Sequence, residues 1–131
     1  MPREDTSSQL TGLQLTLLRV LWSRGESTIS EVHAALTGAR ELAPTTVATL
    51  LRRLEKRGLV SHSTQGRQFV YRAEISEHDA TRSMVDEVTE RLFAGDVSEM
   101  MAQLLTSKDV RAGDLDRIRA LIEEKERELE E

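Results

Sequence analysis

No cysteine occurs among the 131 residues, which excludes disulfides, thiolate zinc sites, iron–sulfur clusters and cysteine nucleophiles. The absence leaves the redox compartment open, because either environment tolerates it. No apolar run exceeds three residues, as in Val20-Leu21-Trp22, so no bilayer-spanning segment and no secretory signal are expected. A cytoplasmic protein is the default expectation. The three histidines, His33, His62 and His78, stand apart, with only His78-Asp79 close to a ligand pairing, so no metal site is expected. Phosphate-cradling glycine loops, a G-x-S-x-G turn and a Ser/His/Asp set are all missing. The sequence therefore implies neither an enzyme nor a cofactor. Internal repeats are absent, and the charged end Glu123–Glu131 is the one biased stretch.

What is present reads as globular, with 38% apolar and 31% charged residues. The length suits one domain, or two small ones sharing a core. The net charge of −5 argues against a nucleic-acid partner until its distribution is considered. Residues 1–75 hold 10 basic and 7 acidic side chains, whereas residues 76–131 hold 8 basic and 16 acidic. A basic module followed by an acidic one points to two separate tasks.

Helix signals dominate the chain. Residues 1–8 are polar and expected to form a flexible tail. Thr11 and Gln14 form a T-x-x-Q capping box, followed by Leu10, Leu13, Leu17, Leu18 and Leu21 at helical spacing, which predicts a helix from about Leu13 to Ser23 that Arg24-Gly25 ends. Thr28 and Glu31 cap a short second helix with Val32, Ala35 and Leu36 inward and Gly38 as its stop. Pro44 opens a third helix with Val47, Leu50, Leu51 and Leu54 on one stripe and Gly58 beyond its end. Two strands, Leu59–Ser63 and Gln68–Arg72, are expected around the turn Thr64–Arg67, with Gly66 supplying a positive φ. Three more helices follow. Ser76 and Asp79 cap the first, Gly95-Asp96 separates it from the second, and the last starts near Asp114. The expected fold is mainly α with a small β-hairpin wing: a winged helix-turn-helix at 9–75 and a three-helix dimerisation domain at 76–131.

The third helix carries the functional signal. At about 100° per residue, Thr45, Thr49, Arg52 and Lys56 fall opposite the apolar stripe, with Thr46 and Arg53 flanking. Glu55 lies at the edge, leaving no carboxylate near the centre of the exposed face. Short hydroxyls and guanidinium groups suit the DNA major groove, where threonine meets thymine methyls and arginine pairs with guanine. In the wing, Arg67 and Arg72 are candidates for phosphate contacts, with His62 and Gln65 as further ones. Phe69 or Tyr71 is expected to pack on the third helix. Three readings stay open from the residues: a DNA-binding repressor, a winged-helix regulator sensing a small molecule, and a winged-helix protein–protein adaptor.

These stretches resemble the penicillinase-repressor (BlaI/MecI) family of winged-helix repressors. The resemblance is carried by "LTLLRVLW", "TISEVHAAL", "LAPTTVATLLRRLEKRGLV", "FVYRAEISEHDA" and "LFAGDVSEMMAQLL". It implies a homodimer on a palindromic double-stranded DNA operator of antibiotic-response genes. Thr45, Thr46, Thr49, Arg52, Arg53 and Arg67 would face DNA. Met84, Val85, Val88 and Leu92, then Val97, Met100, Met101 and Leu104, then Leu115, Ile118 and Ile122 would form the dimer interface. The rival reading of those stripes is intramolecular core. Two departures stand out. Family members released by a membrane-bound sensor-protease are cut at an Asn-Phe bond, where this chain has Gln103-Leu104. Copper-responsive relatives carry paired cysteines, so thiolate copper sensing is excluded here.

Overall fold

A computed structural model describes residues 10–36, 38, 41–107 and 109–131. The expected tail at 1–8 and part of the connection before Pro44 lie outside the described residues. Among the described residues, six helices and three strands follow in the order α1 (Gly12–Arg24), β1 (Ser27–Thr28), α2 (Ile29–Leu36), α3 (Pro44–Lys56), β2 (Val60–Gln65), β3 (Gln68–Ala73), α4 (Glu77–Phe93), α5 (Val97–Ser107) and α6 (Ala112–Glu130). The chain divides into two compact units, residues 1–88 and 89–131, with the division inside α4.

Local chemistry sets the helix starts. The Thr11 hydroxyl accepts from the Gln14 backbone N–H at 3.1 Å, while the Gln14 side chain accepts from the Thr11 N–H at 3.2 Å. Thr28 and Glu31 repeat the exchange at 3.1 and 2.9 Å. Each box satisfies two backbone donors that the first helical turn leaves without partners. Pro44 occupies the first turn of α3, where its missing N–H costs nothing.

The first unit closes around one core. Leu17, Leu18 and Leu21 of α1, Val32 and Leu36 of α2, and Val47, Leu50, Leu51 and Leu54 of α3 pack with Leu59, Val60 and Tyr71. Two longer reaches tie its edges. Trp22 donates from Nε1 to the Ile75 carbonyl at 2.8 Å, and Arg57 donates to the Gln14 side chain at 2.9 Å.

Several details differ from the sequence reading. Ala35 is exposed rather than inward, because Val32 and Leu36, one turn apart, already fill the buried side of this two-turn helix. The hairpin belongs to a three-stranded antiparallel sheet of order β1-β3-β2, in which Ser27 pairs with Tyr71 and Thr28 with Val70. The wing strands run further than expected, since Gln65 pairs with Gln68. The turn therefore reduces to Gly66-Arg67, with Gly66 at φ +64°, the first central position of a type II′ hairpin turn. Helix α6 begins two residues before Asp114, which caps it by accepting the Arg111 N–H at 3.2 Å.

Helices α4, α5 and α6 bury little. Ala80 is the one buried residue of α4, and α5 and α6 have none. Between α4 and α5 the backbone turns through Ala94 at φ +50° and Gly95 at φ +82°. The Gly95 N–H reaches back to the Thr89 carbonyl at 3.0 Å, closing the helix end. Asp96 then caps α5 by accepting the Glu99 N–H at 3.1 Å. In the second unit, α5 and α6 border an open groove of about 440 Å³, lined by Met101, Leu104, Leu105, Ile118 and Leu121.

Candidate nucleic-acid interface

The apolar stripe of α3 fixes which side chains face outward. With Val47, Leu51 and Leu54 fully buried, the opposite face necessarily presents Thr45, Thr46, Arg52, Arg53 and Lys56 to solvent, with Thr49 half-buried. No carboxylate interrupts this face. Arg53 and Lys56 make no side-chain hydrogen bond or ion pair among the described residues, which leaves their charges available to an anion. Ala48 at the flank adds no bulk, so a partner's surface can approach closely.

Three of these residues are wired together. The Thr49 hydroxyl donates to the Thr45 carbonyl at 3.0 Å and accepts from Arg52 Nη2 at 3.2 Å. Thr49 thereby spends its proton on its own helix and steadies the Arg52 guanidinium above the surface. Arg52 keeps its remaining N–H donors for a bidentate acceptor such as a guanine edge.

The wing residues divide into two groups. Cross-strand pairing sets His62 opposite Tyr71 and Thr64 opposite Phe69, so these four share one sheet face. Tyr71 on that face is in the core, and burial pushes its hydroxyl above its usual range, with the nearby Glu55 charge acting in the same direction. Phe69 is 44% exposed and stacks on His62, with ring centres 4.2 Å apart. Of the two aromatics, Tyr71 is the one that joins the α3 core. His62 is taken up by Glu55, whose two carboxylate oxygens both lie 2.8 Å from Nδ1.

On the other face, Arg72 donates from Nε to Glu74 at 3.1 Å and to the Ser61 hydroxyl at 3.1 Å. Its charge is already offset within the sheet. Arg67 sits at the turn itself, exposed and without an intramolecular partner among the described residues. Of the two wing arginines, Arg67 is thus the one with a free guanidinium. Sequence reasoning missed the tether Arg57–Gln14 and the pair Glu55–His62, since both join residues by tertiary contact rather than by any repeating pattern.

Comparison with known proteins agrees with this geometry. A family model described as the penicillinase repressor matches residues 10–124. The chain belongs to that family. It is 26% identical over 116 residues to the penicillinase repressor of Bacillus licheniformis, covering 88% of this chain and 91% of the relative. A stretch of 54 residues, 40% of this chain and 39% of the relative, is 46% identical to the transcriptional regulator BlaI of Mycobacterium tuberculosis. The solution structure of the DNA-binding domain of the repressor BlaI aligns with 60% of this chain and 93% of its own, at 32% identity and a TM-score of 0.51. The chain is a winged-helix, DNA-binding transcriptional repressor and not an enzyme. Among its described residues, no helix is long and apolar enough to cross a membrane.

The residues expected at a dimer interface also have defined places in the repressor. Val85, Val88, Leu92, Val97, Leu104 and Ile122 are between 40% and 73% exposed. Met84, Met100, Met101, Leu115 and Ile118 are half-buried. Gln103 and Leu104 lie inside α5 with exposed side chains, and the Gln103 carbonyl also accepts from the Thr106 and Ser107 hydroxyls.

Proposed function

We infer that the repressor acts as a homodimer on a palindromic operator, with one α3 in the major groove of each half-site. The observation that carries this reading is the exposed face of α3, where hydroxyls and three cations stand without a central carboxylate. Thr45, Thr46, Thr49 and Arg52 read base edges, Arg53, Lys56 and Arg67 hold phosphates, and Arg72 serves the sheet more than the DNA. Residues 9–75 form the DNA-binding part and 76–131 the dimerisation part. The apolar stripes of α4, α5 and α6 support the dimer, because a monomer would leave them in water. A protein acting on operators of antibiotic-response genes works in the cytoplasm.

Induction would act on the same C-terminal region. A membrane-bound sensor-protease cutting Gln103–Leu104 would divide α5 and separate α6 from the rest of the interface. A protease binds extended backbone, so α5 must unwind locally before such a cut.

The test is retention of genomic or random duplex DNA by the purified chain, followed by sequencing. A palindrome with half-sites about one helical turn or a multiple apart is the expected outcome. Random, salt-sensitive fragments alone would favour the adaptor reading. On the recovered operator, Arg52→Ala should cost about 1–3 kcal/mol and relax preference at one base position. Arg67→Ala should weaken operator and random DNA alike. Equal losses on both DNAs for Arg52→Ala would remove base reading from α3.

A further inference from the structure

Beyond the core, little holds the wing in place. Val60, Val70 and Tyr71 are buried at its base, whereas residues 62–69 are exposed throughout. Beyond the pairing of β1 with Val70 and Tyr71 the wing is only two-stranded, and such a ribbon is marginal in water and free to change its twist. Outboard of the core, the ribbon meets α3 through Glu55 and His62. This is the one side-chain hydrogen bond between α3 and the wing among the described residues.

The chemistry of that contact is directional. Carboxylate oxygens only accept, so Nδ1 of His62 carries the hydrogen that the pair shares. The ring is held from its face by Phe69 at 4.2 Å, and Tyr71 lies 5.4 Å away. Both partners of the pair are about one-third exposed. Glu55 is also the carboxylate bordering the cationic face of α3, where an unpartnered negative charge would repel DNA phosphates.

We propose that the Glu55–His62 pair, seated on Phe69, fixes the wing against α3 so that Arg67 meets a DNA phosphate while α3 lies in the groove. This rests on the DNA-contacting reading of α3 and the wing given above. Glu55 and His62 are positioning residues: neither touches DNA. His62 has a second effect, since its N–H offsets the Glu55 charge beside the phosphates. Removing His62 therefore harms binding twice, by freeing the wing and by baring the carboxylate. Glu55→Gln keeps an acceptor for Nδ1 and removes the charge, so it should be tolerated.

The experiment uses the full chain and an operator selected from a random duplex pool, with affinity measured against salt concentration. His62→Ala should weaken the operator complex about three- to tenfold and make the salt slope about 0.9 shallower per subunit, the signature of one lost phosphate contact. Arg67→Ala should give the same shallower slope. The double variant His62→Ala/Arg67→Ala should keep that slope without losing a second unit, because both changes remove one contact. Glu55→Gln should retain wild-type affinity or exceed it.

A general folding defect would lower affinity without this slope, and unchanged thermal unfolding of His62→Ala checks for one. His62→Gln, which restores an N–H donor, should recover part of the slope. A wild-type slope in His62→Ala, or slope losses that add in the double variant, would overturn the proposal while leaving operator recognition intact. Failure of the wild-type chain to select any sequence would overturn the operator reading itself, and this inference with it.

Discussion

Among the described residues, thirteen of the fourteen buried apolar side chains lie between Leu17 and Tyr71, whereas α4, α5 and α6 together bury Ala80 alone. The second region is not poorer in apolar residues. Val85, Val88 and Leu92 repeat at helical spacing just as Val47, Leu51 and Leu54 do. The difference lies in where the complementary surface is. For α3 it is supplied by α1, α2 and the sheet within the same chain. For α4–α6 the same pattern stays largely exposed, with Ala80 alone buried, and that exposed surface is where we propose the dimer interface. Charge follows the same division, with the basic excess before residue 76 and the acidic excess after it.

The sharpest way to break this comparison is to spoil the proposed interface. Ile118→Asp places a charge where a second copy should bury an isoleucine, and the unpaired carboxylate resists desolvation. Monomers are expected, and losing the linkage between two half-site contacts should weaken operator binding about 10²- to 10⁴-fold. The winged-helix core, which does not include Ile118, should be unaffected in its unfolding. Sedimentation and operator titration read the two effects separately. A variant that stays fully dimeric would return the α6 stripe to the monomer.

Next in size is a matched pair of leucines. Leu51 has no exposed surface, whereas Leu121 is 64% exposed. Leu51→Ala should cost about 2–5 kcal/mol of folding stability through lost burial and a cavity. In dilute monomer, Leu121→Ala should stay within about 0.5 kcal/mol. At concentrations that favour the dimer, the cost of Leu121→Ala should grow, since association stabilises the folded state by mass action. Calorimetry across protein concentrations measures both. A concentration-independent cost at Leu121 would argue for packing within one chain.

Much of this organisation is legible in the sequence. Thr11/Gln14, Thr28/Glu31 and Ser76/Asp79 announce helix starts because a cap is a short-range bargain between neighbouring residues. The α3 stripe was legible because thirteen helical residues repeat a period often enough to define a face. The two-residue strand β1 was not, since Ser27-Thr28 has no period and exists through its pairing with Tyr71 and Val70. Ala35 was misread because two turns of helix define a buried side too loosely. The candidate DNA face needed only the wheel of α3, but the fates of Arg72, Arg57 and His62 depended on partners 11, 43 and 7 residues away. Patterning tells which way a side chain points, and not what it meets there.

Acid offers a gentler test, because the same device occurs in both regions. Backbone hydrogen bonding from Thr28 holds the Glu31 carboxyl below its usual range, helped by the Thr28 hydroxyl and Arg24. Backbone hydrogen bonding from Arg111 does the same for Asp114, with Arg117 assisting. A carboxyl depressed in the folded state stabilises above its ordinary titration range, and that contribution is lost as pH falls through the depressed value. Both caps should therefore weaken below the usual carboxylate range. Helix α2 should hold its amide protection, since Val32 and Leu36 anchor it in the core. The start of α6, which has no buried residue, should fray first. Equal fraying of the two helices would mean that core packing contributes little to α2.

The smallest expected effect lies at the joint between α4 and α5. Ala94 is the one non-glycine residue with positive φ among the described residues, at +50°. Its Cβ makes that conformation costly, whereas glycine adopts it freely. Ala94→Gly should therefore stabilise the joint by about 0.5–1 kcal/mol, even after the greater freedom glycine has when unfolded. Gly95→Ala should do the opposite, since it adds a strained φ of +82° and a Cβ only 3.1 Å from Glu90 Oε1. Where little packing surrounds a turn, the backbone term should appear nearly undiluted, and amide exchange at Gly95 and Asp96 reads it directly. If both substitutions proved neutral, contacts across the dimer rather than local geometry would be holding this joint.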